Sequence, residues 1–358
     1  MVPSAIGATL RPKVAVLTAV YNGERWLGEA LASVSRQSFQ DFECVIVDDG
    51  STDRTSQIVR AFAAQDDRVR TYRHTENRGP SAARNLGLAV TSADYVAAFD
   101  ADDLMAPRRL ELQAAFLDSH PSVGVVGCQI LEIDAAGKAQ RMVRSPTNAR
   151  LASWSVLFQT PVLNSGAMFR SSTLRRAGGY SEAAHLVEDY ELMARLLKVT
   201  EIVSLPDCLC AYRRHDGQLS SALRREGQGA RLAVLVHAIL RDRLGHAVTL
   251  ADAAKLYAAA RGGVLVDEAS VFRVIELLER LLVREQAVGA VDDGDYRTIT
   301  RDCAARLLVL GWRHRLLFRT AGKAAIRRSL ELDPESRHRP VTRERMTGRP
   351  FGLLQWLQ

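Results

Sequence analysis

The chain has 358 residues, 47% of them apolar and 25% charged, with a formal net charge of +7. That composition excludes a disordered, collagen-like or disulfide-scaffold protein. No stretch approaches the ~18 apolar residues of a membrane-spanning helix, and Met1 to Lys13 has no apolar core of signal-peptide length, so a cytoplasmic location is expected. Cys44, Cys128, Cys208, Cys210 and Cys303 are scattered and odd in number, and read as reduced thiols with no zinc set. The charge is uneven. Residues 1–220 carry 24 Lys and Arg against 25 Asp and Glu, and residues 221–358 carry 24 against 16. The basic last third favours an anionic neighbour, such as a membrane surface or an acidic partner. The dominance of Arg over Lys, 43 to 5, is discounted as a sign of nucleic-acid binding.

In chain order, residues 13–19 form a short apolar, β-branched run that predicts a buried parallel strand. Asn22-Gly23 is a turn, and Trp26 to Gln37 has a helical period. Residues 42–47 predict a second strand, ending at Asp48-Asp49-Gly50-Ser51. A helix through Ile58, Val59 and Phe62 follows, capped by Ser51 or Thr52. Residues 69–72 predict a third strand, 81–89 a helix, and 95–99 a fourth strand ending at Asp100-Ala101-Asp102-Asp103. Strands alternating with helices at this spacing make a mostly parallel, doubly wound sheet. Beyond residue 120 the rhythm changes. A strand-like run is expected at 123–133, further short elements at 154–159, 166–170 and 201–205, and a helix at 188–197. From Ala222 the pattern is almost wholly helical, with one stripe through Phe272, Ile275, Leu278, Leu281 and Leu282 and another through Ala304, Leu307, Leu308 and Leu310. The stretch from Leu330 reads as loosely ordered until residues 351–357.

Two acidic clusters therefore end parallel strands, where open α/β sheets bind ligands. Carboxylates crowded there repel one another unless a cation or donor intervenes, and an Asp-x-Asp spacing of hard oxygen ligands suits Mg²⁺ or Mn²⁺ with a diphosphate. Turn and cap residues are the competing explanation. The run VAVLTAVYNGERWLGEALASVSRQSFQDFECVIVDDGSTDRT, followed in order by ENRGPSAARNLGL, YVAAFDADDLMAPRRL, GAMFR, GGYSE, VEDYELMARL and YRRH, resembles the family 2 glycosyltransferases over about residues 13–216.

That resemblance implies an α/β fold of the GT-A type, a Rossmann-like, doubly wound mixed sheet over residues 1–221, followed here by a basic, all-helical extension at 222–358. It implies an inverting transfer of a sugar from a nucleotide-diphosphate donor, a UDP-sugar by family frequency, to a hydroxyl acceptor in bacterial polysaccharide or glycan synthesis, with Mn²⁺ or Mg²⁺ as cofactor. By position, Ala19, Val20 and Tyr21 meet the nucleotide base, although many members have Pro where this chain has Ala19. Asp49 accepts from the base, Arg78 and Arg84 line the nucleotide, and Asp100 lies near ribose or metal. Asp102 contacts the metal, and His215, in the Y-R-x-H segment, faces the metal or diphosphate. Asp189 is the general base, with Glu188 orienting the acceptor. Trp154 and Phe158 flank the acceptor region or belong to the core.

Two alternatives remain at this level. A metal-dependent nucleotidyltransferase would share the acid pair, but the chain lacks its Gly-rich phosphate loop after the first strand. A catalytically inactive nucleotide-sugar-binding protein is expected to lack Asp102 or Asp189, and both are present. The partners expected are the donor, a carbohydrate or lipid-linked acceptor, and no nucleic acid. Arg313, Arg315 and Arg319 beside Trp312, Leu316, Leu317 and Phe318 suggest a basic amphipathic helix. Such a helix could serve peripheral contact at the inner face of the membrane, a homo-oligomer, or internal packing.

Overall fold

Strand-forming segments assemble into a single mixed sheet in the computed structural model, which describes residues 11–218, 228–261, 263–287 and 293–336. The chain divides into two compact units, residues 1–147 with 162–214, and residues 148–161 with 215–358. The expected boundary at 221/222 lies outside the described residues. The segment 148–161, expected in the catalytic part, belongs to the second unit.

The first unit holds β1 (Val14–Val20), β2 (Phe42–Asp48), β3 (Val69–Arg73), β4 (Tyr95–Ala98), β5 (Leu104–Met105), β6 (Val123–Asp134), β7 (Ala139–Val143), β8 (Met168–Arg170) and β9 (Glu201–Arg214). Among the described residues these form one sheet in the order β3-β2-β1-β4-β8-β6-β9-β5, with β7 paired to β6. The first four strands are mutually parallel. β2 is buried along its whole length, as a strand covered on both faces must be. Helix Leu27–Ser35 turns Leu27, Ala30, Leu31 and Val34 inward, the 3.6-residue spacing of an apolar stripe. β8 then enters antiparallel to both β4 and β6, which makes the sheet mixed, as expected.

β9 is longer than the apolar run 201–205 suggested. Pro206 and the exposed residues around it hide its continuation. The pairing with β6 jumps between Gly127↔Ser204 and Gln129↔Cys208, so an irregularity absorbs the residue that cannot donate a ladder hydrogen bond.

The second unit is helical. Asn148 caps helix Ala149–Ser155 by accepting from the Leu151 N–H at 2.9 Å. Helices Gln228–Leu244, Leu250–Ala260, Glu268–Ala287, Asp293–His314 and Arg319–Leu332 follow. Thr249 and Asp252 form a reciprocal capping box at the second of these. In helix Glu268–Ala287 the inward stripe includes Val271, Val274, Leu278 and Leu281, whereas Phe272 is 43% exposed and off it. Ala304, Leu307, Leu308 and Leu310 are buried as expected. Trp154 and Phe158 are core residues of this unit. Trp154 Nε1 donates to Asp302 at 2.8 Å, and the two rings meet edge to face at 5.3 Å between centroids. Burying both aromatics accounts for their place better than a sugar platform does.

The continuous basic helix expected around 312–319 is two helices. The first ends at His314, which is fully buried, accepting from the Leu265 N–H at 2.7 Å and donating from Nδ1 to the Leu310 carbonyl at 2.7 Å. The chain turns, and helix Arg319–Leu332 packs back so closely that a Cβ on Gly311 would lie 2.6 Å from the Gly322 carbonyl oxygen. That second helix carries ordered chain past Leu330. Residues 337–358 lie outside the described residues.

Candidate active site

The ends of β1, β2 and β4 bring three loops together in the first unit. After β1, Asn22 adopts a left-handed φ of 51°. Its N–H donates to Ser51 Oγ at 3.0 Å and its side-chain oxygen accepts from the Thr52 N–H at 2.8 Å. The Gly23 N–H reaches Thr55 Oγ1 at 2.8 Å. These bonds knit the first loop to the second. Ala19 is half-buried, Val20 is buried and Tyr21 is 47% exposed.

Asp48 and Asp49 divide the work at the end of β2. Asp48 accepts from the Ser51 N–H at 2.9 Å and from Ser56 Oγ, with Arg73 at 3.6 Å. Burial pushes its pKa up, but those hydrogen bonds and the Arg73 charge carry it below the ordinary value. It is a turn residue. Asp49 binds the loop after β3, with Oδ1 2.6 Å from His74 Nδ1 and accepting from the Arg78 N–H at 3.1 Å, and Oδ2 accepting from the Gly79 N–H at 2.8 Å. Gly50, at φ 78°, lets that loop pass, since a Cβ there would sit 2.5 Å from the Glu76 carbonyl carbon. Arg78 is exposed.

Arg84, on helix Pro80–Val90, joins the acidic end of β4 to the helix that bears Asp189. Its Nη2 is 3.0 Å from Asp100 Oδ1, its Nη1 is 3.0 Å from Glu188 Oε1, and its guanidinium lies 5.3 Å from the Tyr180 ring centroid. Burial lowers its pKa, and the charges of Asp100 and Glu188 more than reverse this. Asp100 also accepts from Asn164 Nδ2 at 3.2 Å, and Asn164 Oδ1 accepts from Tyr180 Oη at 2.8 Å. Asn85 clamps the Tyr180 backbone with two hydrogen bonds, at 2.8 and 2.9 Å. Asn164 and Tyr180 escaped the sequence reading. Asn164 lies just before the recognised GAMFR segment and Tyr180 within GGYSE, and neither residue type announces a role by itself.

At the β4 end, burial and the neighbouring Asp102 charge raise the pKa of Asp100 against the pull of Arg84. Asp103 is fully buried, and burial with the charges of Asp102 and Asp100 pushes its pKa well up. Its Oδ1 accepts from the Arg213 N–H at 2.8 Å, while Arg213 Nε donates to the Asp102 carbonyl at 2.9 Å and Nη2 meets Glu29 at 2.8 Å. Arg213 of the Y-R-R-H segment therefore braces the acidic loop from within. Among the described residues no three His, Cys, Asp or Glu side chains converge as a metal cage. The two carboxylates of Asp100 and Asp102 nevertheless suit a hard divalent cation whose shell phosphate and water complete, and the Asp102 charge, which adds to burial in raising Asp100, is charge such an ion would neutralise. His215 belongs to the second unit, where its N–H lies 3.4 Å from Gln218 Oε1.

Asp189 stands in the first turn of helix Glu188–Leu196. Leu186, just before it, is held at φ 78°, a left-handed conformation costly for a branched side chain. Asp189 Oδ1 accepts from the Tyr190 N–H at 2.7 Å. Burial, then the adjacent Glu188 charge, pushes its pKa up to about 6, into the range of a general base at neutral pH. Asp49, Arg84, Asp100, Asp102, Glu188 and Asp189 are thus all supplied by one unit.

The family model described as "Glycosyl transferase family 2" matches residues 15–175. The putative glycosyltransferase EpsE of Bacillus subtilis is 35% identical over 191 residues, 52% of this chain and 67% of the relative. The amylovoran biosynthesis glycosyltransferase AmsE of Erwinia amylovora is 29% identical over 201 residues, 55% of this chain and 75% of the relative. Among solved structures, residues 1–349 of S. aureus TarS in complex with UDP-GlcNAc align with a TM-score of 0.55 at 19% identity, over 91% of this chain and 92% of that one. The mannosyltransferase PcManGT of Pyrobaculum calidifontis, in complex with GDP-Man and Mn²⁺, gives 0.51 at 20% identity, over 96% and 89%. The structural likenesses show the GT-A-type fold. The matched relatives are glycosyltransferases, which decides against the nucleotidyltransferase alternative. The ordered motifs, the mixed sheet and the match to EpsE over two thirds of that relative lead to one assignment: the chain belongs to glycosyl transferase family 2.

Proposed function

We propose that this enzyme transfers a sugar from a UDP-linked donor to a hydroxyl of a growing polysaccharide or glycan, with inversion at the anomeric carbon. The observation that carries the reading is Asp189, a carboxylate with its pKa pushed up to about 6, beside a Glu188–Arg84–Asp100 chain of ion pairs. TarS in complex with UDP-GlcNAc and AmsE of amylovoran biosynthesis support the donor and pathway class.

In this mechanism Asp189 accepts the proton of the acceptor hydroxyl as its oxygen bonds to the anomeric carbon, and the carbon–oxygen bond to the diphosphate breaks on the opposite face. Glu188 orients the acceptor. Ala19, Val20, Tyr21, Asp49, Arg78 and Arg84 line the nucleotide. Asp100 and Asp102 would hold Mn²⁺ or Mg²⁺, a choice supported by the Mn²⁺ complex of PcManGT. When bound, the ion supplies positive charge against the departing diphosphate.

The test is Asp189→Asn, assayed against a panel of nucleotide sugars with Mn²⁺. The variant should stay folded, keep its UDP affinity and lose about 10² to 10⁴ in transfer rate. Transfer at the wild-type rate would remove Asp189 from the role of base.

A further inference from the structure

We propose that the second unit carries a docking face for an anionic lipid surface, built from helix Arg319–Leu332 and the turn that leads into it. Arg319, Lys323 and Arg327 recur every four residues, so they share one face of that helix. With Phe272 of the neighbouring helix they line one shallow groove. Arg319, Lys323 and Arg327 are exposed, and Phe272 is 43% exposed.

The acidic side chains of these helices are engaged elsewhere. Glu331 and Glu279 pair with Arg328, Glu276 pairs with Arg273 and Arg280, and Glu268 accepts from the Ala321 N–H. Among the described residues no ion pair involves Arg319, Lys323 or Arg327. The groove is therefore a positive strip without counter-charge, and such a strip attracts anions.

Beside it the chain exposes what a solvated turn does not need. Leu316 is 87% exposed, Leu317 64% and Trp312 41%. The Arg315 guanidinium lies 3.9 Å from the Trp312 ring centroid and donates to the Trp312 carbonyl at 2.9 Å. Leu317 is two residues from Arg319, so the apolar turn abuts the basic strip. Basic side chains flanking exposed Leu and Trp are the composition of an interfacial anchor, apolar groups entering the acyl boundary while cations meet headgroups.

Charge also decides against the chain's own end as occupant. Residues 337–358 carry five arginines and one glutamate, so they would be repelled by the strip and drawn to the same anionic surface. No described helix is long and apolar enough to cross a membrane, which makes the proposed contact peripheral.

Flotation of the full chain with vesicles of phosphatidylcholine, alone or with one third phosphatidylglycerol, tests this. Binding should require phosphatidylglycerol, appear at low salt and fade at high salt. The triple variant R319Q/K323Q/R327Q should lose about 100-fold in partitioning. L316S/L317S should lose about tenfold or more. Lys in place of Arg319 and Arg327 should retain binding, because the attraction is to charge. Equal binding to phosphatidylcholine alone, or none at all, overturns the proposal. So does binding that survives the triple variant but vanishes on truncation before Arg337, which would place the anchor in the tail. A dimer in lipid-free light scattering that L316S/L317S abolishes would make the face a self-interface instead. Circular-dichroism melts of each variant separate loss of binding from loss of fold.

Discussion

A carboxylate titrating near neutrality has consequences for both rate and stability, and Asp189 carries both. As the proposed base it would work only when ionised. With its pKa at about 6, kcat/KM should rise with pH through a midpoint near that value and lie flat above it. A profile flat down to pH ~4.5, about where an ordinary carboxylate titrates, would show that a different group limits the rate. The same shift lowers stability. Its ordinary value is 3.8, so the folded state holds the proton more tightly than the unfolded chain, and stability falls as pH rises between the two values. Above pH ~6 the full penalty applies, at most about 3 kcal/mol for that shift. Asp189→Asn should therefore melt at a higher temperature than the parent at pH 8, with the gap closing by pH 4. An unchanged difference across that range would show that Asp189 is not buried as a charge. Asp189 was legible in the ED pair at a helix start, but its environment was not, since Arg84, Tyr180 and Asn164 come from other elements.

At the scale of elements, the loops at the ends of β2 and β3 depend on backbone geometry more than on side-chain identity. Asp49 and Gly50 at the end of β2 shape the loop after β3, one by accepting its amides and the other by leaving room for it. Gly50→Ala meets a left-handed φ, costing about 1–2 kcal/mol, and a backbone clash that must move residues 76–77 as well. The variant should lose at least that much stability and bind UDP more weakly, by calorimetry. Wild-type UDP affinity in a folded G50A protein would separate this loop from the nucleotide site. β1, β2 and β4 were readable because each is a short apolar run ending in turn residues. β9 was not, because Pro206 and alternate exposure break the apolar signal while pairing with β6 sustains the strand. The helix break at His314 was equally hidden. Amphipathic spacing runs through residues 312–319, and the buried imidazole and the Gly311–Gly322 approach that stop the helix are tertiary facts.

Across the whole molecule the cysteines behave as the scattered count suggested, with no disulfide among them. Burial pushes the thiol pKa of Cys44 up to about 12 and of Cys128 to about 11, and raises Cys210 and Cys303 too. Cys208 alone is exposed, with its pKa also raised. A thiol reagent should label Cys208 slowly in the native protein and all five only after denaturation, and reductant should leave the melting temperature unchanged. Fast labelling of a second cysteine would point to local opening around it. The sequence by itself determined the strand–helix alternation, the acid clusters at the strand ends, the family and the helical character of the last third. Each of these is written in contiguous residues, where period, turn chemistry and motif order act locally. Only the tertiary structure decided that Arg84 pairs with Glu188, 104 positions away, that Arg213 braces the acidic loop, and that residues 148–161 leave the first unit for the second. Those outcomes depend on which strands become neighbours and which faces are buried, and a pairing between residues so far apart leaves no mark in the sequence around either one.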